Sequence, residues 1–137
     1  MQEQKNIQLI KDLFAAFDRG DLQTAMNMIE DKVDWQSPVT QNQPEEISWA
    51  KPRHNKMEVM EFFQELNKKV QPEKFEIKGF VAQGDKLVVE GRNQGMSRLT
   101  GKKYGHDWIM IFTIHDGKIV RQRHYYDTSD IISAFRP

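Results

Sequence analysis

Between residues 3 and 19 apolar side chains return every three or four positions, through Ile7, Leu9, Ile10, Leu13, Phe14 and Phe17, which makes one face of an amphipathic helix. Gly20 ends that helix, and Asp21 caps a second, shorter one whose Leu22, Ala25, Met26 and Ile29 supply a buried side. At 33–37, VDWQS, the period changes to two, with Val33, Trp35 and Ser37 on one side of a short strand that Pro38 ends. The segment 39–55 holds Gln, Asn, Glu and two prolines and reads as irregular, yet it carries Ile47 and Trp49 near its middle. A third helix over 56–70 presents Met57, Met60 and Phe63 on one side, with Val59, Phe62 and Leu66 a step round.

The pattern then turns to strands. Residues 75–83 and 86–94 flank Gly84-Asp85, and a second pair of β-rich runs, 108–114 (WIMIFTI) and 118–126, flanks Asp116-Gly117. Asp-Gly is a hairpin signal because glycine accepts φ > 0, and it allows two registers here. A two-residue turn pairs Ile114 with Ile119, Trp108 with Tyr125 and His106 with Asp127, whereas a three-residue loop with a bulge brings His106 opposite Tyr126. In the first register an imidazole and a carboxylate become cross-strand neighbours, an acid/base pair in outline. The plainer alternative is that Asp127 caps a terminal helix over 128–135 and that His106 is a surface residue at a strand entrance.

Helix, helix, strand, helix and then four antiparallel strands predict an α+β domain, helices packed on one curved sheet. At 137 residues this is one domain, 1–137, with a core of its own. Twenty basic residues balance twenty acidic ones and no Lys/Arg cluster exceeds a pair, so nucleic-acid binding has no electrostatic footprint. No apolar run approaches a membrane span, and MQEQKNIQ lacks the apolar core of a signal peptide, which predicts a cytoplasmic protein without membrane contact. Cysteine is absent, which removes thiolate chemistry and disulfides. His54, His106, His115 and His124 show no metal-ligand spacing, so no metal site is expected, and there is no phosphate loop or nucleophile elbow.

Five stretches together resemble the SnoaL-like branch of the nuclear-transport-factor-2-like (NTF2-like, cystatin-like) superfamily, which includes ketosteroid isomerases, polyketide cyclases and limonene-type epoxide hydrolases. They are LFAAFDRGD at 13–21, ISWA at 47–50, Phe62-Phe63, FTIHDGKI at 112–119 and RHYYD at 123–127. The resemblance spans essentially the whole chain and implies a conical α+β fold around a deep, mostly apolar pocket, commonly in a homodimer built through the outer face of the sheet. Measured against it, the chain departs from the isomerases: Ser37 stands before Pro38 where they carry a catalytic Asp, and Leu13 stands where they carry a tyrosine. A hydroxyl does not replace a carboxylate as general base at neutral pH. It departs from the epoxide hydrolases as well, because Glu90-Gly91-Arg92-Asn93 holds the expected charges in the wrong order. The cyclases are nearer, working with an Asp at the position of Asp127 and a histidine on the neighbouring strand, which His106 matches.

The candidate catalytic residues are therefore Asp127 and His106. Trp35, Trp49 and Trp108 are candidate pocket walls for an apolar or aromatic small molecule, with Tyr125, Arg123 and Arg53 as further contacts; each also has an ordinary structural reading as core or surface. Two functions compete. One is a cofactor-free enzyme performing isomerase- or cyclase-type acid/base chemistry on an apolar carbonyl compound. The other is a ligand-binding or dimerisation module of the same fold that has lost the isomerase base.

Overall fold

A computed structural model of the protein describes residues 2–137. Helix α1 (Gln2–Asp18) and helix α2 (Leu22–Asn27) precede strand β1 (Ile29–Gln36); a 3-10 segment (Glu45–Ala50) lies in the irregular stretch, followed by α3 (Lys56–Lys69). Strands β2 (Val70–Gln83), β3 (Lys86–Ser97), β4 (Lys103–His115) and β5 (Lys118–Tyr126) follow, and α4 (Thr128–Ala134) closes the chain. The five strands form one unclosed sheet in the order β1-β5-β4-β3-β2, antiparallel except where β1 runs parallel to β5. This is the α+β arrangement expected from the order of periodicities.

Local chemistry explains each boundary. The Asp21 carboxylate accepts from the Thr24 N–H and caps α2, and the Asn55 side chain accepts from Glu58 N–H and caps α3. Strand β1 begins four residues earlier than its apolar period suggests, because Ile29 pairs with Ile119 before a bulge lets the chain regain register at Asp34. Strand β2 leaves α3 without a linker and pairs with β3 over its full length. In the irregular stretch Trp35 and Arg53 exchange backbone hydrogen bonds at 2.9 and 2.7 Å, which folds the segment back over the end of β1.

Alternate residues of β3, β4 and β5 face the helices. Leu87, Val89, Trp108, Phe112 and Ile114 are buried there against Ile10, Leu13 and Phe14 of α1, and Val59 and Phe62 of α3 complete the same core. Phe14 touches Phe75, Trp108 and Phe112 with ring centroids 5.4, 6.2 and 6.3 Å away. Burying such a ring contributes about 1.5–3 kcal/mol. The opposite, outer face carries Val81, Ile109 and Tyr125, each more than 40% exposed, among charged neighbours.

The β4–β5 register matches neither sequence-based alternative. Asp116 and Gly117 both take positive φ, 51° and 74°, so the turn is a two-residue one and Ile114 does pair with Ile119. A bulge then leaves Val120 unpaired and shifts the remainder, so that Thr113 meets Arg121 and Trp108 meets Tyr126. A cross-strand His106–Asp127 pair is thereby ruled out. One extra residue moved the partner.

Candidate functional site

The inner face of β4 and β5 carries the densest polar chemistry in the molecule. His106, on β4, is 5% exposed, and its Nδ1–H donates to Oδ2 of Asp130 at 2.9 Å. The same carboxylate oxygen accepts the Gly105 N–H at 3.0 Å. Asp130 is delivered by α4, whose first turn is held by Asp127: the Asp127 side chain accepts the Asp130 N–H at 3.2 Å and the Ser129 hydroxyl at 2.8 Å. The Ser129 hydroxyl, and then the Asp130 amide, hold the Asp127 carboxyl below the usual carboxylate range. Asp127 is exposed and serves as a cap; the partner expected for His106 is replaced by a residue three positions on.

Aromatic rings surround His106. Tyr104 and Tyr126 lie on either side, with centroids 5.5 and 4.7 Å away and rings within 19° and 4° of parallel. Burial drives the Tyr104 hydroxyl up to about 12 and the Tyr126 hydroxyl higher still, so both phenols keep their protons. The Tyr126 oxygen accepts from Trp49 Nε1–H at 3.4 Å. Beyond Tyr126 stands His124, edge-on to it at 4.9 Å and to Trp108 at 5.6 Å. Its Nδ1 lies 2.7 Å from the Ser37 hydroxyl, at the end of β1. Burial pushes the His124 imidazole down to about 3, which keeps it neutral. Among the described residues, five buried polar atoms have no protein partner: His124 Nε2, Trp108 Nε1, Trp35 Nε1, Arg53 Nε and Gln122 Oε1.

The three tryptophans read as pocket walls are core residues. Trp35, Trp49 and Trp108 are all at most 3% exposed, Trp35 against Phe62 and Phe63, Trp49 against Phe135 at 5.5 Å, and Trp108 stacked on Phe75 at 5.0 Å. Trp108 can lie flat on β3 because Gly91 is beneath it; a Cβ there would come within 2.3 Å of the indole. Tyr104 uses Gly95 in the same way.

Three other candidates fall outside this cluster. Arg123 projects from the outer face, where both Asp34 carboxylate oxygens accept from its Nη2 at 2.8 Å. Tyr125 is exposed on that face too, at the rim of a hollow of ≈380 Å³ shared with Asp127, Asp107 and Lys78. Alternation along β5 sends 123 and 125 outward once 122, 124 and 126 face in. Arg53 is buried rather than at the surface, but its guanidinium is committed to the Trp49 and Glu58 carbonyls and to Glu65, over the Phe62 ring. A second hollow, ≈580 Å³, opens between the 3-10 segment, the end of α3 and α4, and Phe135 forms part of its wall.

The arrangement now has counterparts. A SnoaL-like domain model matches residues 10–122. The chain belongs to the SnoaL-like family. Among solved structures this SnoaL-like chain is similar to an NTF2-like protein from Burkholderia xenovorans, with 26% identity, 98% of each chain covered and a TM-score of 0.85. It also resembles in fold a protein proposed to be a polyketide cyclase from Xanthomonas campestris, at 18% identity over 99% of this chain and 100% of that one, TM-score 0.78. A third, TerC, crystallised with polyporic acid, shares 21% identity over 96% of this chain and 98% of that one, TM-score 0.77. A search among curated proteins finds no match.

Sequence reasoning missed Asp130, His124 and the Ser37–His124 contact. His124 and Gln122 share the inward side of β5 with Tyr126, a signal visible in the alternation once the bulge is known. Asp130 falls in the first turn of the helix read over 128–135, and nothing in its spacing ties it to His106. The SnoaL-like domain has no helix long and apolar enough to cross a membrane among its described residues.

Proposed function

We propose that this SnoaL-like chain is a small-molecule enzyme of the isomerase or cyclase type, in which His106 moves a proton beside the carbonyl of an apolar compound. The observation that carries this reading is the 2.9 Å bond from His106 Nδ1–H to Asp130. With the proton fixed on Nδ1, Nε2 holds the lone pair and acts as general base, then returns the proton at another carbon. Asp130 fixes the tautomer and orientation of the ring while the substrate gathers negative charge. The Tyr126 hydroxyl, still protonated, is a donor for that substrate charge. The chemistry calls for no cofactor. The fold's occurrence in a protein proposed to be a polyketide cyclase and in one crystallised with polyporic acid supports an apolar carbonyl compound as ligand.

The ligand enters from the ≈580 Å³ hollow. Phe135 lines that hollow and packs on Trp49, whose indole N–H reaches Tyr126, so displacement of Phe135 by α4 opens the way inward. Two chains associate through the outer sheet face, where Val81, Ile109 and Tyr125 are exposed.

A second reading has its own support. Asp127 caps α4, and Trp35, Trp49 and Trp108 close over the inner face, which suits a module that binds without reacting. Proton exchange separates the two. In D2O the protein is expected to accelerate deuterium uptake next to the carbonyl of 1-indanone or 2-tetralone, read by NMR, and His106→Gln to slow it by about 10²–10⁴-fold. Binding of these ketones with no accelerated exchange would leave the binding module standing and remove the enzyme.

A further inference from the structure

We infer that Ser37 and His124 form a neutral hydrogen-bond donor which, with the Trp108 indole, holds the carbonyl or enolate-type oxygen of the ligand. The inference rests on the proton-transfer reading above and adds to it the groups that receive the substrate oxygen.

Hydrogen-bond accounting supports it first. The Ser37 hydroxyl lies 2.7 Å from His124 Nδ1 in a buried setting. If the hydroxyl donates, Nδ1 accepts, the imidazole proton sits on Nε2, and one group is left unpaired. If Nδ1–H donates instead, both the serine proton and the Nε2 lone pair go without partners. Each unpaired buried group is destabilising, so the first arrangement is preferred. His124 then presents an N–H from a ring that burial keeps uncharged.

The surroundings are donors as well. Trp108 Nε1–H, unpartnered, belongs to a ring edge-to-face with His124 at 5.6 Å, on the same side of the sheet. Trp35 Nε1–H, also unpartnered, is on β1 two residues before Ser37, and opposite it in register is Gln122, whose Oε1 is the one unpartnered acceptor among these buried atoms. An inner face with surplus N–H groups suits a ligand offering acceptor oxygen, and it disfavours an amine or ammonium, which brings more donors. In a water-poor site such donors strengthen as negative charge builds on oxygen, complementing a base at His106. Ser37 holds His124 in the tautomer that supplies this donor.

Two measurements test this. Long-range 1H–15N spectra of the histidine rings should show His124 protonated on Nε2 and neutral between pH 5 and 8; a proton on Nδ1 overturns the inference without any ligand. Affinities for 1-indanone and indane, alike in shape but for one carbonyl, give the second. The wild-type protein should bind the ketone about tenfold more tightly, the worth of one well-made hydrogen bond. His124→Phe should erase that preference, so that the ketone binds no more tightly than indane, and Ser37→Thr, which keeps the hydroxyl, should retain it. Equal binding of both compounds by the wild type overturns the oxygen site alone. Failure of both to bind overturns this inference, whereas a carbonyl preference without deuterium exchange leaves the oxygen site intact and removes the base at His106.

Discussion

His124 shows most directly what burial does to one side chain. The unfolded chain takes up a proton there near pH 6.5, the folded chain only near pH 3. Above pH 6.5 neither state holds it and the residue adds no pH dependence; as pH falls below 6.5 the unfolded state binds the proton and folding is weakened, by up to about 1.4 kcal/mol per pH unit. Urea unfolding at pH 7.5 and pH 5.0 is therefore expected to show wild-type stability dropping more than that of His124→Gln, by about 1–2 kcal/mol over the interval. Equal drops would mean that the ring is not kept neutral. Gly91 makes a second residue-scale case. A methyl group there meets the Trp108 ring and the Glu76 carbonyl, both at 2.3 Å, and the carbonyl is backbone that cannot swing aside. Gly91→Ala is expected to cost about 1–3 kcal/mol and to alter the near-UV dichroism of tryptophan.

At the level of elements, α4 is the piece on which the candidate site depends. It is only seven residues long, yet it supplies Asp130 to His106 and rests Phe135 on Trp49. Its other ties are to neighbours in the fold: the Thr100 hydroxyl donates to the Ala134 carbonyl, and Arg136 pairs with Glu46 at 2.8 Å. Removing its cap should loosen this helix without unfolding the sheet. Asp127→Ala is expected to speed amide exchange over residues 128–135 about five- to tenfold while β4 and β5 stay protected. Asp130→Asn keeps the cap but replaces the charge that orients His106, so it should lower the deuterium-exchange rate with little change in α4 protection. If the two variants behaved alike, the effect on His106 would be that of the helix alone. The β4–β5 hairpin carries the complementary lesson. Its turn chemistry is legible in Asp116-Gly117, but the bulge at Val120 is not, because the flanking residues suit either register and the choice falls to pairing with β1.

The whole molecule is a sheet with one face committed to its own helices and the other presenting apolar side chains among charges. Val81, Ile109 and Tyr125 supply the exposed part, and Arg123 and Arg121 are gathered by Asp34 at the β1 edge. With twenty charges of each sign, no net repulsion opposes association. The expected state is a dimer by light scattering at micromolar concentration, little changed between low and high salt, and Ile109→Lys should shift it toward monomer. A wild-type monomer would contradict the interface.

Periodicity and turn chemistry were enough to read the α+β architecture, because burying one face of each helix and strand leaves few ways to arrange this order of elements. The family was legible as well, through stretches such as LFAAFDRGD and FTIHDGKI, which fall inside the matched region. The partners of the polar groups were not. His106 and Asp130 are 24 residues apart and His124 and Ser37 are 87 apart, and each pair exists because separate elements converge on the inner face. One unpaired residue in β5 decides which side chains those elements bring together, since a shift of a single position in a strand replaces every cross-strand neighbour beyond it.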